Sequence, residues 1–238
     1  MNHCPNKIAL ITGASNDRDI GTAICRKLAA EGIDIFFTYW KANADWKKTF
    51  QEEVRDMDVR CESLEIDLSH ANAAIEILDT VTAKLGLPSI LVNNAAHSTR
   101  DGYVQLDAKR LDDHYVVNMR STFLLCVQFA RLFEKSKLAA GRIINMTSGQ
   151  DLGPMTGELT YAATKGAISS FTRSLSQELA PLGITVNAVN PGPTDSTWMT
   201  DEIRNSLLPK FPRGRIGRPE DVARIIRFLA SDEAAWIT

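Results

Sequence analysis

The sequence predicts an α/β fold: a single doubly wound parallel sheet with helices on both faces, in one domain over residues 1–238. Three observations carry this. Short β-branched or apolar runs alternate with longer helical patterns, the signature of successive strand–helix–strand units. The first unit joins its strand to its helix through a glycine-containing turn, TGASNDRDIG (Thr12–Gly21). The chain is 44% hydrophobic, enough for one sizeable core, and no repeat, low-complexity segment or linker divides it.

The elements follow in order. Lys7–Thr12 holds the apolar run IALI and reads as the first strand, and Ile20–Glu31 follows as an amphipathic helix. Ile33–Tyr39 (IDIFFTY) is the second strand, and Asp45–Asp56 the second helix. The third strand, Val59–Ile66, stops at Asp67 and leads into a helix over Ala71–Leu85. Ser89–Asn94 is a short apolar strand ending in asparagines, followed by one long helix over Ala108–Phe133. Arg142–Thr147, a helix over Thr160–Leu182 and a last strand, Thr185–Asn190, complete the pattern. In such sheets ligands bind at the carboxyl ends of the strands, where the strand order reverses.

Composition excludes several classes. A net charge of -2 argues against nucleic-acid binding, which requires a basic excess. The four cysteines (Cys4, Cys25, Cys61, Cys126) form no CxxC pair, which suits a reducing cytosol and supplies no metal-ligand set. No apolar run is long enough to span a membrane, and the first strand begins too early for a signal peptide. A cytoplasmic enzyme is the expectation.

The chemistry-bearing residues sit where strands end. TGASNDRDIG has the strand–turn–helix setting that holds a pyrophosphate. Only Gly13 and Gly21 remain of the usual glycines, and Asp19 stands where another is expected. A carboxylate there repels phosphate, so Asp19 is expected to point outward or cap the helix, with Ser15 and Arg18 on the cofactor side. ILVNNAA (Ile90–Ala96) and Asp67 place hydrogen-bonding groups at two further strand ends. In YAATK, Tyr161 and Lys165 stand four apart on a helix and share a face. A nearby ammonium is expected to lower the tyrosine pKa and tune the phenol for proton transfer. Ser148, ending RIINMTS, lies close enough in sequence to bring a second hydroxyl to the same carbonyl, and Asn118 in the preceding helix could join them.

In this order the motifs resemble the short-chain dehydrogenase/reductase family, over nearly the whole chain: TGAS…IG, Asp67, NNAA, Asn118, Ser148, YAATK, then NPGPTDS at Asn190–Ser196. The resemblance implies a Rossmann-type domain in which Tyr161 protonates the alkoxide formed when hydride reaches a carbonyl. Ser148 then hydrogen-bonds the carbonyl oxygen, Lys165 binds the nicotinamide ribose and tunes Tyr161, and Asn118 supports a proton relay. Cofactor contacts are implied for Gly13, Ser15, Ile20, Gly21, Asp67, Leu68, Asn94, Ala95, Tyr161, Lys165, Pro191, Gly192 and Thr194. Ala96 replaces the glycine of the family's NNAG.

The long phosphate loop is similar to that of the enoyl-acyl-carrier-protein reductases, a divergent branch of the family. That branch spaces its tyrosine and lysine more widely, and counting back at that spacing from Lys165 reaches Glu158, which is no phenol. Carbonyl reduction therefore ranks above enoyl reduction. No acid closes the second strand, where an NAD-specific protein places one. Tyr39 stands near that position, and Arg18 and Lys41 could flank a 2′-phosphate, so NADP(H) is expected over NAD(H). Resemblance to 3-oxoacyl-acyl-carrier-protein reductases implies a 3-oxoacyl thioester as substrate. Lys210, Arg213, Arg215 and Arg218 are candidates to meet an acidic acyl carrier protein. Reductases of other ketones or sugars, and a non-catalytic nucleotide-binding scaffold, are the alternatives. The segment after Ser196, with Trp198, Met199, Leu207, Leu208 and Phe211, is expected to form a mobile lid, an ordinary packed helix being the alternative. Relatives pack the two long helices together as homotetramers or homodimers, so the same is implied here. They also carry a further strand beyond ASDEAAWIT, so the edge of Thr185–Asn190 is expected to lack a neighbour.

Overall fold

Strands β1 (Ile8–Thr12), β2 (Asp34–Tyr39), β3 (Cys61–Glu65), β4 (Ile90–Asn93), β5 (Gly141–Met146) and β6 (Ile184–Val189) form one sheet in the order β3-β2-β1-β4-β5-β6. Every pairing is parallel. The structure is a computed structural model describing residues 7–238, so Cys4 lies outside it. From β1 the chain steps outward to β2 and β3, then returns to the other side of β1 as β4. The reversal opens a crevice at the carboxyl ends of β1 and β4.

The strands inside the sheet are largely apolar and buried because both faces are covered, whereas the edge strand β3 (CESLE) is only partly buried. On one face Ile11, Ile35, Phe37 and Val92 pack beneath α1 (Ile20–Ala29), α2 (Ala44–Arg55) and a helix near the C-terminal end, which contributes Val222 and Ile226. On the other, Leu10, Phe36, Leu91 and Ile143 meet α3 (Ala73–Lys84) and two long helices that bring Leu125, Phe129, Leu175 and Leu179.

Beyond β4 the structure departs from the single predicted helix over Ala108–Phe133. A one-turn α4 (Gly102–Gln105) precedes α5 (Ala108–His114), a π-helical turn (Tyr115–Arg120) and α6 (Ser121–Glu134). The widened turn holds Asn118, whose fully buried amide is bonded on both sides; such turns are frequent at functional sites. Helix α7 (Leu159–Leu179) runs on as a 3-10 turn, Ala180–Leu182. Its first turn is capped by the buried Asp101, which accepts from the N–H groups of Leu159 (2.8 Å) and Thr160 (2.9 Å). Burial alone raises the Asp101 pKa, but bonds from Thr160, Gly102 and Leu159 bring it down to about 2.

The segment after β6 holds α8 (Asp201–Leu207), capped by the Thr200 hydroxyl and burying none of its side chains, so it is not the ordinary packed helix of the alternative. Helix α9 (Pro219–Ala230) was not anticipated, although Val222, Ile226 and Leu229 stand at helical spacing and Asp221 accepts from the Arg218 N–H. At the outer edge of β6, the Val186 N–H donates to the Thr238 hydroxyl (3.0 Å) and the Asn187 amide to the Ile237 carbonyl (2.8 Å). That edge is thus partly covered by residues 237 and 238 rather than bare.

Candidate active site

Glycine chemistry builds the floor of the crevice. Gly13 has φ +79°, and a Cβ there would lie 2.8 Å from Ala95 Cα; one on Gly21 would lie 2.1 Å from the Gly13 carbonyl oxygen. These close approaches lock β1, the start of α1 and the end of β4 together. Asn94 completes the lock, donating from Nδ2 to the carbonyls of Thr12 (3.0 Å) and Gly13 (2.8 Å). A Gly13→Val protein should lose more than about 2 kcal/mol of stability through positive-φ strain and overpacking. Denaturant titration, with cofactor affinity measured in parallel, checks this.

Asp19 corrects an expectation, for it neither points outward nor caps α1. It occupies the cap position without a side-chain cap bond. Its carboxylate folds back into the loop, accepting from the N–H groups of Ser15 (2.8 Å) and Asn16 (3.1 Å) and from the Thr197 hydroxyl (3.1 Å). The longer loop curls its amides around an anion-binding hollow, and the side chain at the glycine position fills it.

From this floor a cleft of about 850 Å³ runs across the carboxyl ends of the strands. One end is walled by Tyr39, Trp40, Asp67, Leu68 and Ser69. The middle is formed by Gly13, Ser15, Ile20, Asn94, Ala95, Pro191, Gly192 and Thr194; the far end holds Ser148, Tyr161, Lys165 and Trp198. Gly21 and Asn118 support the wall from behind. Ala96 carries no left-handed backbone strain, so alanine fits that turn.

The two expected phosphate-binding cations are not brought together. Arg18 is drawn to the segment after β6, where Asp195 pairs with it at 2.8 Å and the Ser196 carbonyl lies at 3.4 Å; Asp195 also pairs with Arg204. Lys41 stays beside the β2 end, with φ +53°, its N–H on Glu65 and its ammonium 5.3 Å from the Trp40 ring centroid. Neither lines the cleft.

At the far end, Tyr161 and Lys165 share one face of α7, the Lys165 Nζ lying 5.5 Å from the Tyr161 ring centroid. That ammonium donates to the Met146 carbonyl at 2.8 Å, and burial lowers its pKa to about 8. The Tyr161 pKa is raised, not lowered as its lysine neighbour led one to expect. Burial pushes the phenol up and the Glu158 carboxylate adds to this, while the Ser148 hydroxyl works the other way. Asn118 gives its amide N–H groups to the His97 carbonyl (2.9 Å) and Thr164 hydroxyl (3.0 Å), and accepts from the His97 N–H (2.7 Å). It fixes the wall after β4 against α7.

Sequence reasoning missed His97, Ser98, Asp113, Val116, Met155 and Trp40 as lining residues. His97 follows NNAA directly, a signal that was available; burial first, then the neighbouring His114, lowers its pKa. Ser98 and Trp40 sit in the loops after β4 and β2, and Asp113, Val116 and Met155 reach the cleft only through the tertiary packing of α5, the π-helical turn and the loop before α7.

A dinucleotide fits this donor set. The glycines let the backbones of the first loop, α1 and the β4 end meet closely along the cleft floor, and the buried Lys165 ammonium has three N–H bonds with one protein acceptor recorded. Parallel sheet, glycine-locked crevice and a serine–tyrosine–lysine constellation define an oxidoreductase, and the chain belongs to the short-chain dehydrogenase/reductase family. The profile of the family described as enoyl-(acyl carrier protein) reductase matches residues 13–238. The uncharacterized oxidoreductase YjdA of Bacillus subtilis is 72% identical over 100% of this chain and 95% of its own length. A 3-oxoacyl-[acyl-carrier-protein] reductase, FabG, of Pseudomonas aeruginosa is 38% identical over 98% of this chain and 93% of its own. A short-chain dehydrogenase/reductase from Serratia marcescens superimposes with a TM-score of 0.89 at 32% identity, covering 98% of this chain and 94% of that one.

Proposed function

We propose that the protein is an NADP(H)-dependent carbonyl reductase and alcohol dehydrogenase whose substrate is a 3-oxoacyl thioester. The observation that carries the reaction type is the meeting of Ser148, Tyr161 and Lys165 at one end of the cleft. When bound, the nicotinamide supplies a hydride to the carbonyl carbon. As the C=O electron pair moves onto oxygen, the Ser148 hydroxyl donates to that oxygen and Tyr161 delivers its phenol proton, leaving an alcohol and a phenolate. The raised Tyr161 pKa keeps the phenol in its acid form at neutral pH, which favours reduction. Lys165 would hold the ribose hydroxyls with its remaining N–H bonds and would stabilise the phenolate. Asn118 positions the His97 segment and α7 around them.

The thioester assignment rests on the 3-oxoacyl reductases among the relatives. The NADP(H) preference rests on a β2 strand that ends at Tyr39 and is followed by Trp40 and Lys41, without an acid there. Enoyl reduction is the second reading, favoured by the description of the matching family profile; Glu158 at the wider-spaced position counts against it. Lys210, Arg213 and Arg218 show no ion pair among the described residues, which suits an acidic carrier protein, whereas Arg215 is tied to Asp221 (2.6 Å). A second copy of the chain would cover the exposed Leu111, Tyr115 and Leu124 of the α5–α6 segment, giving a homodimer or homotetramer. A cytoplasmic setting accords with buried free thiols at Cys25, Cys61 and Cys126.

The test follows nicotinamide absorbance with a 3-oxoacyl and an enoyl thioester, each with NADPH and NADH. The expected result is turnover of the 3-oxoacyl substrate with a kcat/KM more than about tenfold higher for NADPH, a difference of about 1.4 kcal/mol. Faster enoyl turnover overturns the reaction type; equal efficiencies overturn the cofactor preference.

A further inference from the structure

Glu158, the residue that counting back from Lys165 reached, lies inside the catalytic end of the cleft, immediately before α7 and one turn ahead of Tyr161. Its surroundings do not neutralise it. No hydrogen bond or ion pair is recorded for its carboxylate among the described residues. The other acids lining the cleft are engaged: Asp113 pairs with Lys109 at 2.6 Å, Asp19 is held by its own loop, and Asp67 accepts from the Ser69 N–H. Lys165 is the cleft's one lining cation among the described residues, and its ammonium is turned to the Met146 carbonyl. Arg100 passes near Gly157 but is exposed and makes no ion pair with Glu158. The neighbouring walls include Leu152, Met155 and Trp198, which screen a charge less than water does.

We propose that Glu158 is a specificity-determining residue, whose carboxylate admits neutral carbonyl substrates and turns away those with a carboxylate close to the reacting carbonyl. The inference rests on the carbonyl-reductase reading above and deepens it: of a 3-oxoacyl thioester and the free 3-oxo acid left by its hydrolysis, the site takes the thioester. A second anion held a few ångströms from Glu158 meets its repulsion, while the one lining cation at this end, the Lys165 ammonium, is turned to the Met146 carbonyl. At the partial exposure of this site the effect is about tenfold in kcat/KM. His97 reinforces the selection, since its lowered pKa leaves it uncharged at neutral pH.

Glu158 also acts on the proton donor. Tyr161 shares its end of the cleft with Ser148, Lys165, His97, Asp113 and Glu158, and the negative charge of Glu158 disfavours the phenolate. Removing that charge lowers the Tyr161 pKa, so the rise of alcohol oxidation with pH should shift to lower pH. A side chain that only caps or packs α7 would not move that profile.

The experiment compares three probes with the cofactor-loaded enzyme: the N-acetylcysteamine thioester of 3-oxobutanoate, methyl 3-oxobutanoate, and 3-oxobutanoate itself. Wild type should favour the two neutral probes over the acid. Glu158→Gln should shrink that ratio about tenfold by raising kcat/KM for the acid, and should move the oxidation profile to lower pH. Glu158→Asp, which keeps the charge, should retain the discrimination. An unchanged ratio in Glu158→Gln, with turnover intact, overturns this inference alone. Absence of turnover with all three probes in wild type overturns the carbonyl-reductase reading and this inference with it.

Discussion

Replacing Tyr161 by Phe should lower kcat for carbonyl reduction about 10²–10⁴-fold, with cofactor affinity changed by less than about twofold. The substitution removes one oxygen and leaves the ring against the Lys165 ammonium, so the packing of α7 survives. It abolishes the proton that must reach the carbonyl oxygen as hydride arrives. Water cannot replace it efficiently, because it is a weaker acid than the phenol and lacks its fixed position beside Ser148. Stopped-flow reduction with a saturating 3-oxoacyl thioester, beside a fluorescence titration of the nicotinamide, measures both quantities. Normal turnover in Tyr161→Phe would remove this phenol from the reaction.

Lys165→Met should do two opposite things. Activity should fall by at least about a hundredfold, because the ammonium that stabilises the phenolate is gone. Stability at pH 7 should rise by about 1–2 kcal/mol. Burial lowers the Lys165 pKa from 10.5 to about 8, and every tenfold loss of proton affinity corresponds to about 1.4 kcal/mol of penalty on the charged form. Loss of the bond to the Met146 carbonyl returns about 1–2 kcal/mol of that gain. The sign with pH follows from the depressed value. Between about 8 and 10.5 the unfolded chain binds more protons at this site, so wild-type stability rises with pH across that window. The advantage of methionine should therefore be full below pH 8 and fade toward pH 10.5. Urea titrations at pH 7 and pH 10 make the comparison; a variant less stable than wild type at both would show that the ammonium is not a burden to the fold.

Much of the architecture was legible because both-face burial writes the inner strands as apolar runs: all five residues of Ile8–Thr12 are buried. The spacing of Tyr161 and Lys165 was equally readable, since helix geometry fixes which residues share a face. Contacts made over long sequence distance were not legible. Arg18 looked like a phosphate ligand by its place in the loop, but Asp195, 177 residues away, sits where it captures the guanidinium. Asp19 was expected to avoid the loop's interior because a bound phosphate would repel it, whereas the loop's own amides supply the positive partial charge that draws it in. The direction of the Tyr161 pKa depended on burial, which no local spacing reveals. The π-helical turn inside the predicted helix was hidden for a related reason: the amide of Asn118 finds its partners on other elements.

The ties from Arg18 to Asp195 and from Asp19 to Thr197 join points 177 and 178 residues apart. Such contacts close long loops, and their high sequence separation makes them slow to gain. The mouth of the cleft needs β6 beside β5, because the segment after β6 brings Asp195 and Thr197 back to the first loop. A nascent chain that has completed only its first half can possess the glycine turn and still hold no cofactor. On the proposed reading, cofactor capture therefore reports a cleft that both halves of the chain have completed.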